Sequence, residues 1–84
     1  MVTAYFAIDK TTGAKAKVAE YGDCLRFRVF ARPRLYADME GFIAYIHAEN
    51  IAIVTDTNER CRPADLVEAI RLCRFYRIAA MPQI

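Results

Sequence analysis

From Val2 to Ala31 apolar and polar residues alternate with a period of two, the pattern of half-buried β-strands. Val2, Ala4, Phe6 and Ile8 fall on one face of the first strand, and Asp9 to Gly13 follow with turn-forming residues, Gly13 standing where a positive φ is needed. A second strand then runs to Tyr21. Gly22-Asp23 places glycine at the first central position of a two-residue II′ turn, after which Cys24 to Ala31 alternates again. The pattern predicts three antiparallel strands.

Parity fixes an expected register. A turn at Gly22-Asp23 sets Tyr21 opposite Cys24, Lys17 opposite Arg28 and Val18 opposite Phe27, while a five-residue first loop sets Ile8 opposite Ala14 and Phe6 opposite Ala16. Both hairpins then agree on one core face, formed by Phe6, Ile8, Ala16, Val18, Leu25, Phe27 and Val29. A slip of one residue in either hairpin would put lysine or arginine among them.

Pro33 is expected to end the third strand or to sit at its edge. Asp38 is placed as the N-cap of a helix reaching Glu49, with Met39, Phe42, Ile43 and Ile46 at helical spacing and Asn50 as its stop. Ile51 to Thr55 is a short apolar run of the kind buried on both faces. The loop Asp56 to Arg62 leads to Pro63 at the first position of a second helix, whose buried stripe is Leu66, Ile70 and Cys73 with Ala69 and Tyr76 beside them. Arg77 to Met81 offers a final strand.

The fold class expected is therefore α+β over residues 1–84 as one small domain. It is a three-stranded antiparallel meander followed by helix, strand, helix and a short closing strand, with the helices packed on one sheet face. Residues 51–81 resemble in outline the strand-helix-strand tail of the ExbD/TolR periplasmic domains, in the Asp-ended strand IAIVTD, the helix DLVEAIRLC and the closing RIAAM. That resemblance spans under half of the chain, has no counterpart of the family's membrane anchor, and implies a strand-helix-strand unit with no function attached.

Composition narrows the function classes. The chain has 84 residues, no serine, no tryptophan and three scattered glycines, which removes a serine nucleophile and a glycine-rich phosphate loop. Hydrophobic residues make up 56%, too many for a disordered tail, and no apolar run reaches spanning length. Cys24, Cys61 and Cys73 are odd in number and in no metal-ligand spacing, so reduced thiols and a cytoplasmic setting are expected, with no metal and no cofactor. The net charge of +2 is a small excess for a nucleic-acid binder.

Charge placement says more than its sum. The expected register puts Tyr5, Lys15, Lys17, Tyr21, Arg26, Arg28 and Phe30 on the outer sheet face, with Arg32 and Arg34 just beyond. Cations interleaved with aromatics suit an acidic protein partner, because arginine and aromatic residues dominate interface hot spots. Single-stranded nucleic acid is the alternative occupant of the same face. The bland reading is a solvated antiparallel face kept soluble by its charges.

Catalytic chemistry has little to stand on. His47, the one histidine, falls late in the first helix, where a helix end explains it. Cys61 lies between Arg60 and Arg62 just before a helix start, a setting expected to lower a thiol pKa and make it reactive. The leading expectation is a non-enzymatic protein-binding module of the regulator or inhibitor kind. Small phage-encoded antagonists, anti-CRISPR proteins among them, share this profile as a class, and an open sheet face on so small a chain also suits a homodimer.

Overall fold

The computed structural model describes residues 2–22, 26–31 and 38–80. Strands β1 (Ala4–Asp9) and β2 (Lys15–Tyr21) form the first hairpin. Its loop is closed by the Asp9 N–H donating to the Ala14 carbonyl at 2.9 Å and the Gly13 N–H to the Asp9 carbonyl at 2.7 Å. The Asp9 carboxylate accepts from the Thr11 N–H at 2.8 Å, and Gly13 takes the positive φ of 76° that its place in the loop demands.

The register differs from the expected one by a single residue at this loop. Ile8 stands opposite Lys15, Ala7 opposite Ala16 and Phe6 opposite Lys17; a bulge then skips Val18, so that Tyr5 faces Ala19 and Ala4 faces Glu20. The slip turns Phe6 and Ile8 to the outer face beside the lysines. The small Ala7 (2% exposed) goes inward instead. The bulge reverses parity along the rest of β2, sending Ala19 and Tyr21 inward and Glu20 outward, while Val18 itself is fully buried. Alanines at the sheet centre leave volume that Phe42, Ile46, Leu66 and Ile70 fill in the same cluster.

Strand β3 (Phe27–Ala31) pairs with β2 through Tyr21 opposite Phe27, Glu20 opposite Arg28 and Ala19 opposite Val29. The Gly22 N–H donates to the Arg26 carbonyl at 2.6 Å, so three residues separate the closing pair and the two-residue turn at Gly22-Asp23 does not form. Phe27 and Val29 are core residues as their alternation predicts; Leu25 lies outside the described residues.

Helix α1 (Met39–Ile46) begins as expected, the Asp38 side chain accepting from the Gly41 N–H at 2.8 Å. It ends before Glu49, at His47, whose N–H donates to Ile43, and the Ala48 N–H tightens the turn onto Tyr45. Asn50 is not the helix stop; its carbonyl accepts from the Lys10 N–H at 2.8 Å and ties this corner to the first hairpin loop.

Strand β4 (Ile51–Thr55) pairs antiparallel with β1 and is buried on one face only, through Ile51, Ile53 and Thr55. The both-face burial expected of this run fails because it enters an antiparallel sheet covered from one side. A two-residue strand, β5 (Arg60–Cys61), returns along β4 where sequence suggests only loop. The Thr55 hydroxyl builds that return, accepting from the Glu59 N–H at 3.1 Å and the Thr57 N–H at 3.3 Å, with Asn58 at φ 63°.

Helix α2 (Pro63–Leu72) starts on Pro63 and buries Leu66, Val67 and Ile70; Tyr76, expected beside this stripe, lies beyond the helix end and is 44% exposed. It leads to β6 (Tyr76–Ala80), which pairs parallel with β3. The result is a small α+β fold with a six-stranded mixed sheet, ordered β5-β4-β1-β2-β3-β6, and two helices. Residues 51–80 do contain a strand, a helix and a closing strand in the order that the ExbD/TolR resemblance implies, but β4 and β6 are not neighbours in the sheet. Instead α2 joins strands at opposite edges. Five gaps of about 4.8 Å give ~24 Å to cross, and ten helical residues supply ~15 Å of it, which carries α2 over the core.

Candidate functional site

The end of α2 determines where the site lies. The Cys73 N–H donates back to the Ala69 and Ile70 carbonyls at 3.2 Å each, and the chain then turns through Arg74 and Phe75 into β6. The Phe75 carbonyl accepts from the Phe27 N–H at 3.0 Å, which docks the start of β6 on the start of β3. Arg74, Phe75, Tyr76 and Arg77 are thereby brought against Arg26, Phe27 and Arg28. A cleft of about 410 Å³ opens between them, with Gly22 at its rim.

Four arginines from two distant parts of the chain line this cleft, and no described lining residue is acidic. Arg28 lies 3.5 Å from the Glu20 carboxylate, which also holds Lys17 at 3.1 Å. Arg26 lies over the Phe75 ring at 5.6 Å from its centre, a cation-π arrangement that leaves the positive charge available. Arg26, Arg74 and Arg77 form no ion pair among the described residues. Phe75 is 63% exposed and Tyr76 44%, so apolar ring surface lies open beside the charges. Planar guanidinium forks pair with carboxylate or phosphate oxygens, and exposed rings supply contact area; together they favour an anionic group with apolar flanks.

Of the residues expected on the outer face, Arg26 and Arg28 line the cleft. Lys15 lies over the Phe6 ring at 4.6 Å, Lys17 is paired to Glu20, and Phe30 is half-buried on the outer face, opposite Ala79. Tyr5 and Tyr21 correct the expectation. Both lie on the helix-covered face, their rings 6.2 Å and 3.9 Å from that of Phe27: the one-residue slip at the first loop turns Tyr5 inward with Ala7, and the bulge at Val18 turns Tyr21 inward with Ala19. Burial pushes both phenols above the ordinary tyrosine value. Arg32, Pro33, Arg34 and Cys24 lie outside the described residues.

Cys61 also departs from expectation. It pairs with Ile53 at the β5 edge and packs against the core, and burial pushes its thiol up, with the Asp65 carboxylate adding to the rise. Arg62 works against this but is itself engaged by Asp65 at 3.0 and 3.1 Å. The exposed His47 caps α1. Among the described residues no three His, Cys, Asp or Glu side chains converge as a metal site would require, and no helix is long and apolar enough to cross a membrane.

Arg74, Phe75, Tyr76 and Arg77 escape the sequence argument because only the long-range parallel pairing of β6 with β3 assembles the cleft. A signal for them exists. No acid follows Glu68 in the sequence, while Arg71, Arg74 and Arg77 recur every third residue. Comparison of the chain with protein-family models, with curated proteins and with solved structures finds no match.

Proposed function

We propose that the protein is a non-enzymatic binding module of the regulator or inhibitor kind, which acts by seating an acidic surface of a protein partner in the arginine-lined cleft. The observation that carries this reading is the convergence of Arg26, Arg28, Arg74 and Arg77 beside the exposed rings of Phe75 and Tyr76. Arginine and aromatic side chains at a partly desolvated spot are the groups that supply most of the energy of a protein interface. The cleft is also short. Its charges sit at one end of the sheet, while Lys17 is answered by Glu20 farther along, which suits a local acidic contact better than a length of phosphate backbone.

A nucleic-acid reading draws on the same exposed rings, which offer stacking surfaces next to cations. The two separate by titrating the protein into a fluorescein-labelled glutamate-rich peptide and into a labelled single-stranded oligonucleotide, at about 50 and 200 mM salt. The proposal expects the peptide to bind and to be displaced by unlabelled peptide more readily than by oligonucleotide. Oligonucleotide binding alone, with a steep salt slope lost in Arg74→Ala/Arg77→Ala, would hand the cleft to nucleic acid.

A further inference from the structure

The cleft runs directly into a sheet edge that no described strand covers. In a parallel ladder the backbone groups of successive residues point alternately to the two sides. Because the Phe75 carbonyl is turned toward β3, so are the backbone groups of Arg77 and Ala79, and those of Tyr76 and Ile78 point away from the sheet. No described strand pairs with that side of β6, and the N–H and C=O groups of Tyr76 and Ile78 have no backbone partner among the described residues.

Sheets usually blunt such edges with very short strands, charges or proline. The opposite edge follows the rule, since β5 has two residues. β6 has five, Tyr76 to Ala80, and its one charge, Arg77, shares the outer sheet face with its neighbour Arg28 instead of guarding the edge. An extended segment laid along this edge would place its first side chains at the cleft mouth, beside Arg74 and Arg77. Those cations select the occupant by charge. A second copy of the chain would bring the same arginines to the same sheet, whereas an acidic segment answers them.

We propose that β6 is a strand-addition edge: an extended acidic segment of a protein partner pairs with the outward backbone groups of Tyr76 and Ile78 while its carboxylates reach Arg74 and Arg77. The proposal rests on the cleft reading above and deepens it by naming the partner's conformation. Main-chain hydrogen bonds supply affinity in this mode and alternate side chains supply selectivity.

The test uses the full chain, ¹⁵N-labelled, with six-residue capped peptides alternating glutamate with valine or threonine, about 20 Å when extended. Amide exchange at Tyr76 and Ile78 is expected to slow by about tenfold or more in the complex, while Arg77 and Ala79, already facing β3, change little. N-methylation of alternate peptide amides should cost roughly tenfold in affinity for one parity and almost nothing for the other. Binding that falls in Arg74→Ala/Arg77→Ala but gives neither the exchange pattern nor the parity effect overturns strand addition and leaves the cleft standing. Absence of binding by every peptide overturns both.

Discussion

Phe27 and Tyr76 stand side by side in the pairing of β3 with β6, on the same sheet face, yet Phe27 is 1% exposed and Tyr76 44%. Tyr21 packs against Phe27 from the β2 side with ring centres 3.9 Å apart, whereas Tyr76 begins the edge strand. The hydrophobic core thus stops between these two rings, and the arginine cleft begins at its border.

Truncating the two rings should therefore have very different costs. Phe27→Ala is expected to destabilise by about 3–5 kcal/mol, the usual range for a fully buried phenylalanine, and Tyr76→Ala by no more than about 1 kcal/mol. Urea unfolding followed by far-ultraviolet dichroism checks both. Equal losses would mean that Tyr76 is a core residue.

Glu20 governs how much charge the neighbouring cations present. Its side chain, 24% exposed, is shared by Lys17 and Arg28, which are 42% and 43% exposed, so these pairs are screened and contribute at most about 1 kcal/mol. Glu20→Gln should leave the urea midpoint almost unchanged while tightening the acidic peptide roughly two- to fivefold, since Arg28 is released toward the cleft. Weaker peptide binding in this variant would show that Glu20 positions Arg28 productively.

Alkaline pH should loosen the fold through the inward tyrosines. Burial raises both the Tyr5 and the Tyr21 pKa, so the folded state holds these protons more tightly than the unfolded chain. The resulting stability is fully present below the unfolded phenol value of about 10 and is lost as pH rises through the higher folded values. Urea midpoints between about pH 8 and 11 should fall only at the top of that range, and Tyr21→Phe should flatten the fall.

The Cys61 thiol should be sluggish, because burial and Asp65 reduce the thiolate present at neutral pH. Iodoacetamide is expected to modify it several-fold more slowly than free glutathione near pH 7, and mass spectrometry of the digested protein reads the site. Faster modification than glutathione would restore the reactive-thiol expectation.

Much of the architecture is legible in local pattern. The Gly13 turn, the Asp38 cap, Pro63 at the start of α2 and the inward Phe27 and Val29 all follow from nearest neighbours along the chain. What alternation cannot carry is a bulge. A single extra residue at Val18 exchanges the faces of Ala19, Glu20 and Tyr21, and one residue more or less in the first loop exchanges Phe6 with Ala7. The candidate site is half legible for the same reason: Arg26 and Arg28 share a strand pattern, but their companions arrive from residues 74–77 through a pairing that no local periodicity encodes.

If the charges of this cleft carry recognition, swapping their sign must swap the partner. Binding of the labelled glutamate-rich peptide is measured by anisotropy for the wild-type chain and for Arg74→Glu/Arg77→Glu, with dichroism confirming that both are folded. A lysine-rich peptide of the same length is titrated in parallel. The acidic peptide should lose at least about tenfold in affinity, with binding of the basic one gained in its place. A folded double variant that retains the acidic peptide at wild-type affinity would contradict it.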